Sequence, residues 1–262
     1  MPVAPDPSEI YNRAVEEGDR RLEQSTLELV STGFIAGFTV VFGIVALGIV
    51  EGLVGPHNAD LAKIAGALAF GPGVVFLVVG RAELFNENFF DPVARAIEES
   101  GSWMLRPLVR LWIVTLVFNL VGGALMVLIF SVDGALPSEA GHAFRTAAEE
   151  IVHRGAPAEF ADSFAGGVLV TLLSFLLSAV NGVGSRITLS YLVGFLLALG
   201  PFDHVVVTGL HVLFGVLFGA EVGVSAVAVT IAVVTVGNLA GGLGLVTLTH
   251  VAQARGARES GG

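Results

Sequence analysis

Residues 188–218 read TLSYLVGFLLALGPFDHVVVTGLHVLFGVLF, an apolar run too long for one simple span and cut by Gly200-Pro201-Phe202-Asp203-His204. A membrane helix needs roughly 20 predominantly apolar residues. Non-helical backbone at membrane depth is tolerated only where protein or a water-filled cavity satisfies its polar groups. The interruption therefore marks a place where the chain builds something other than a plain helix.

Working outward, residues 64–84 form a second irregular run, which carries Gly71-Pro72-Gly73 and then enters Arg81-Ala82-Glu83-Leu84-Phe85-Asn86-Glu87-Asn88. Four more apolar segments, at 29–50, 107–130, 164–180 and 224–250, complete a set of six. Each interruption falls in the middle segment of three, once per half of the chain. Matched broken segments in two halves point to a transporter's binding site. Three spans per half also force the halves into opposite orientations. The expected fold is all-α transmembrane: a six-span bundle of two inverted three-helix repeats, with helices 2 and 5 broken. Gly33/Gly37 and Gly237/Gly241, at GxxxG spacing, suit close helix packing.

Composition agrees. Of 262 residues, 54% are hydrophobic and 14% charged, against about a quarter charged in soluble domains. A net charge of −10, with Lys63 the only lysine, argues against a nucleic-acid partner. The sequence has no cysteine, which excludes disulfides and thiolate metal sites. HExxH, Walker-type and GxSxG motifs are missing, so no enzyme activity, metal or cofactor is expected. Residues 1–28 are polar and acidic, without the basic start and apolar core of a signal peptide. They read as a cytoplasmic arm, ahead of a membrane domain at 29–250 and a cytoplasmic tail at 251–262.

Basic residues set the orientation. Nine of them (Arg13, Arg20, Arg21, Arg95, Arg106, Arg110, Arg186, Arg255 and Arg258) share one side in a six-span chain. Lys63, Arg145 and Arg154 lie on the other, and Arg81 lies within the membrane. Both termini are therefore expected in the cytoplasm.

Ionisable residues inside membrane segments are costly, and they are functional candidates by default. His204 offers a proton that can move near neutral pH. Asp203 suits the N-cap of a half-helix starting there, whose positive end favours an anion. Arg81 is expected to pair with Glu83, Glu87 or carbonyls of the break, and Leu84 and Phe85 to form an apolar constriction. His211, seven residues past His204, is assigned to packing. His57, His142 and His153 fall in connections.

Three stretches then resemble the formate/nitrite transporters over roughly residues 29–250. Ala82-Glu83-Leu84-Phe85-Asn86-Glu87-Asn88 is similar to that family's small-(Asp/Glu)-Leu-Phe-Thr turn, Pro201-Phe202-Asp203-His204 to its Gly-Phe-Glu-His, and residues 235–242 to its Thr-Ile-Gly-Asn-Ile-Ile-Gly-Gly. The resemblance implies a homopentamer of aquaporin-like protomers in the cell (inner) membrane, each with its own pore. It implies His204 as central proton relay, with Phe70, Val74, Leu84, Phe85 and Phe202 at the pore and its constrictions. It places Asn86 where the family has threonine, Thr208 where it has asparagine, and Asn238 at the asparagine of the last span. The sequence departs at the family's lysine before span four, where only Arg154 is near, and at Phe175, which replaces an asparagine. Arg81 stands where many members have glycine, as in a divergent branch with Gly-Arg before Leu-Phe-x-Glu-Asn. The expected function is transport of a small weak-acid anion with protons. The alternative is a pH-gated channel for a small neutral solute.

Overall fold

The computed structural model describes residues 5–99 and 104–260, so the first four residues of the arm and the last two of the tail lie outside the described residues. Among the described residues every regular element is a helix. In order these are α1 (Pro7–Glu23), α2 (Thr26–Val54), α3 (Ala59–Val79), a 3₁₀ turn (Phe85–Asn88), α4 (Phe90–Glu98), α5 (Leu105–Phe130) and α6 (Ser138–His153). Then come α7 (Ala156–Ser178), α8 (Val183–Leu199), α9 (Val205–Leu217), α10 (Val224–Leu239), a π-helical segment (Ala240–Thr247) and α11 (Leu248–Ser260).

Local sequence explains the starts. Ser25 caps α2 by accepting from the Glu28 N–H, with the Ser-x-x-Glu spacing of a capping box. Asn58 caps α3 through the Leu61 N–H. Helices α2, α3, α5, α7 and the continuous run from Val224 are long and apolar enough to cross a membrane. The sixth span is composite: α8 and α9 are apolar but each is shorter than the others.

The first break does not lie at Gly71-Pro72-Gly73, which α3 passes through unbroken. The two glycines serve packing there. A Cβ on Gly73 would stand 2.9 Å from the Gly43 Cα of α2, and one on Gly194 of α8 3.0 Å from the Gly71 Cα. Instead α3 ends at Gly80 in a Schellman motif: the Arg81 N–H donates to the Val78 carbonyl (3.2 Å) and the Ala82 N–H to the Leu77 carbonyl (2.9 Å). That motif needs a left-handed residue, and Arg81 supplies it at φ 54°, a conformation glycine adopts more easily. The second break lies where the sequence puts it: Pro201 follows Gly200, and α9 resumes at Val205.

Connections sort into two ends. At one end α1, α4 and α11 bury Tyr11, Ala14, Phe90, Ala94, Val251 and Ala254 together, and Arg13 reaches Asn181 between α7 and α8 (2.8 Å). At the other, α6 lies across α2 and α9, with Phe144 stacked on Phe214 at 4.4 Å between centroids. This is the grouping that the arginine placement requires.

Candidate functional site

Two asparagines build the centre. The Asn119 Oδ1 on α5 accepts the Phe85 N–H (3.0 Å), while its Nδ2 donates to the carbonyls of Gly33 (2.8 Å) and Glu83 (2.9 Å). The Asn238 Oδ1 on α10 accepts the Val205 N–H (2.9 Å), and its Nδ2 donates to the carbonyls of Ser163 and Asp203, both at 2.7 Å. Each amide thus ties a break to the first helix and the third helix of its own half. The backbone repeats the pattern, with the Glu83 N–H on the Thr32 carbonyl (3.3 Å) and the Asp203 N–H on the Asp162 carbonyl (3.1 Å). Close approach makes this reach possible: a Cβ on Gly37 would run into the Asn119 carbonyl, and one on Gly167 into that of Asn238.

Under this correspondence Leu84 and His204 occupy equivalent places, each directly before the helix that follows its break. His204 is 1% exposed, and neither ring nitrogen has a hydrogen-bond partner among the described residues. Its carbonyl receives the Thr208 N–H (2.8 Å). Phe70, Val74, Leu84 and Phe85 lie in one buried apolar cluster with Val205, Val206 and Val207, and Phe202 packs on its edge. Asn86 is fully buried in the 3₁₀ turn, with both amide atoms unpartnered. Above His204 opens a cavity of about 1460 Å³, whose walls include Phe70, Phe202, Asp203, Thr208 and His211. His211 therefore faces the same space as His204, with its Nδ1 on the Val207 carbonyl at 3.1 Å, rather than serving packing alone.

Two expectations are corrected. Asp203 does not cap α9: the Val205 N–H goes to Asn238, and the Asp203 carboxylate pairs with Arg154 (3.3 Å), which also holds Asp162. Burial raises the Arg154–Asp203 stakes, because Arg154 must lose water to reach it; its carboxylate partners hold the guanidinium charged, with its pKa raised. Arg81 does not pair with Glu83 or Glu87. It is exposed, and among the described residues its side chain has no hydrogen bond or ion pair. Glu83 is taken instead by the arm, through Arg20 (2.9 Å), Arg21 (3.5 Å) and Gln24 (3.2 Å).

Sequence reasoning passed over Asn119. A signal was there: Asn119-Leu120-Val121-Gly122-Gly123 repeats Asn238-Leu239-Ala240-Gly241-Gly242 in the third span of each half. It also passed over Arg21, a buried cation whose environment only the packed arm creates.

A polytopic helical bundle with two broken spans, one of them carrying a buried, unbonded histidine, has the architecture of a membrane channel or transporter. The profile of the formate/nitrite transporters matches residues 8–252, and the chain belongs to that family. It is 24% identical over 215 residues to the inner membrane protein YfdC of Escherichia coli K12, covering 80% of this chain and 66% of that protein. The chain thus spans just under two thirds of the length of that relative. The uncharacterized transporter YwcJ of Bacillus subtilis 168 is 25% identical over 183 residues, 69% of this chain and 70% of YwcJ. Among solved structures, an FNT family ion channel superposes with TM-score 0.80 at 16% identity, over 92% of this chain and 97% of that one. A pentameric formate channel with formate bound gives TM-score 0.72 at 21% identity, over 86% and 95%. Both share the fold of this protein.

Proposed function

We propose that this chain moves a small monovalent weak-acid anion of the formate or nitrite kind, with a proton handled by His204. The observation that carries the reading is the histidine itself: buried, unbonded at both nitrogens, at a helix break beneath a large cavity. Carrying the substrate through an apolar layer as a charge is very costly, whereas the neutral acid passes far more cheaply. A low-dielectric site also raises a weak acid's pKa. His204 gives up a proton, directly or through water, and regains one from the cavity. Leu84, Phe85, Phe70, Val74 and Phe202 form the apolar walls, with Thr208 and Asn86 as polar contacts. Asn238 holds the second break with Asp203 beside it, and at the first break Glu83 is anchored to the arm while Arg81 closes the end of α3.

Membership of the family supports the anion, and likeness to a pentameric channel supports a homopentamer. We place the protein in the inner membrane with arm (1–28) and tail (251–262) in the cytoplasm and the transport domain at 29–250. The nine basic residues on that side and the location in the name of the Escherichia coli relative support this.

The test is uptake of formate and nitrite by proteoliposomes, wild type beside His204→Asn. Wild-type uptake is expected to rise as external pH falls, and the variant to lose roughly tenfold or more with assembly intact. Unchanged uptake in the variant would remove His204 from the proton path and leave a simple pore.

A further inference from the structure

His204, Val207, Thr208 and His211 all line the cavity under α6. At i, i+3, i+4 and i+7 they form one stripe along α9. The stripe runs from the second break toward the end of α9 that lies against α6, where a Cβ on Gly215 would run into Ala148. Seven residues at about 1.5 Å each put His211 roughly 10 Å nearer that mouth than His204. Three of the four side chains can both donate and accept hydrogen bonds. Ionisable groups at membrane depth are costly, so two on one cavity-facing stripe call for a use.

Bonding decides what His211 offers. Its Nδ1 lies 3.1 Å from the Val207 carbonyl. A carbonyl only accepts, which assigns the hydrogen to Nδ1 and leaves the lone pair of the neutral ring on Nε2. Nε2 has no partner among the described residues, and neither has the Thr208 hydroxyl. Charge around the stripe is acidic. From α6 come Glu139, His142, Glu150 and His153, while α2 brings Glu51 and α3 Lys63. Arg154, Asp162 and Asp203 complete the wall. Carboxylates outnumber permanent cations there, which favours a protonated imidazole. Helices α5 and α10 also pack on α9 but bring it no titratable group. In α10 there is none, and Arg106 and Arg110 lie in the first turns of α5, at the arm end.

We infer that His211 is a second proton relay, passing protons from the α6 mouth to His204; this rests on the weak-acid reading above. Cationic His211 releases its Nε2 proton to a water in the cavity, which has room for many at about 30 Å³ each. The Thr208 hydroxyl takes up one proton as it gives up its own, and a ring nitrogen of His204 is the last acceptor. The Nδ1–H on Val207 stays in place throughout. His211 therefore returns to the same tautomer and draws its next proton from the mouth on Nε2. Only protons move, and His211 and Thr208 both end as they began.

The experiment is formate uptake entering from the α6 side of proteoliposomes, at pH 5 and pH 7, corrected for protein-free vesicles. Wild type, His211→Leu and Thr208→Val are compared with and without imidazole as a mobile proton carrier. His211→Leu is expected to lose about tenfold at pH 7 and less than about twofold at pH 5, where free protons reach His204 unaided. Imidazole is expected to restore most of the loss at pH 7. Thr208→Val is expected to lose about threefold at pH 7, since water can bridge the gap it leaves. Uptake by His211→Leu equal to wild type at pH 7 overturns the inference. So does an equal fractional loss at both pH values that imidazole does not mend, which marks a structural role. Should His211→Leu not assemble, His211→Gln decides on the same terms, because its amide can still donate to the Val207 carbonyl but carries no proton. Wild type that moves no formate, or whose uptake ignores pH, overturns the reading of function itself, an outcome seen before any variant is compared.

Discussion

Asn119 and Asn238 show how single side chains set this architecture. Each satisfies three backbone groups that a broken helix leaves open, in a place where water is scarce. A buried donor or acceptor left unpaired costs about 1–3 kcal/mol. Asn119→Leu or Asn238→Leu strands three at once, so each is expected to destabilise the fold by about 2–5 kcal/mol, allowing for relaxation. Thermal unfolding in detergent checks this, and a loss within the range of ordinary surface substitutions would mean that the breaks hold themselves. The two variants should also cost similar amounts, because the two amides do the same work in the two halves. His204 was legible as a candidate because a histidine inside an apolar run is costly to bury, and the structure buries it without a hydrogen-bond partner. Asn119 was not, since an asparagine in a transmembrane segment carries no charge and its partners, Gly33 and Glu83, are distant in sequence.

At the level of elements, both breaks were legible because proline, glycine and charge interrupt an apolar run. Their local form was not. Gly71-Pro72-Gly73 reads as a breaker yet sits inside α3, because its glycines fit the close crossings with α2 and α8 while Pro72 points outward and is exposed. The docking of α1 was likewise hidden: its charge suggests a solvated arm, but Arg21 is 6% exposed and reaches Glu17, Glu83, Glu87 and Asp91 within 3.7 Å. Burial alone would push the Glu17 carboxyl up, but hydrogen bonds and charge from Arg20 and Arg21 outweigh it and hold Glu17 down at about 2. A carboxyl held below its unfolded value stabilises the docked arm above that value, near 4.5, and the contribution is lost as pH falls toward 2. Limited proteolysis is therefore expected to spare the arm at pH 6 and to cut it increasingly below about pH 4. Glu17→Gln should bring cutting on at pH 6 without acid. Protection that does not change with pH in wild type would show that the apolar contacts of Tyr11 and Ala14 hold α1 unaided.

Across the whole molecule, charge is not what an anion pathway first suggests. The cavity under α6 is walled by Glu51, Glu139, Glu150, Asp162 and Asp203 against Lys63 and Arg154, five carboxylates to two cations. His142, His153 and His211 also line it and offset the excess only when protonated. An excess unit charge ~10 Å away in water shifts the local concentration of a monovalent ion about twofold. Three such charges thin out anions at this mouth by nearly tenfold before screening, and gather protons to the same degree. On the weak-acid reading proposed above, the mouth then favours the neutral acid, the form that an apolar layer passes more cheaply. Salt separates this from simple anion attraction, because screening reaches about 8 Å at physiological ionic strength. Uptake entering from the α6 side is expected to rise about threefold between 10 and 150 mM of an impermeant salt at a pH where the anion dominates. Glu139→Gln with Glu150→Gln should lift the low-salt rate and flatten the dependence, leaving the centre untouched. A rate that falls with added salt would mean that Lys63 and Arg154 dominate the field, and that anions are drawn in at this end as charges.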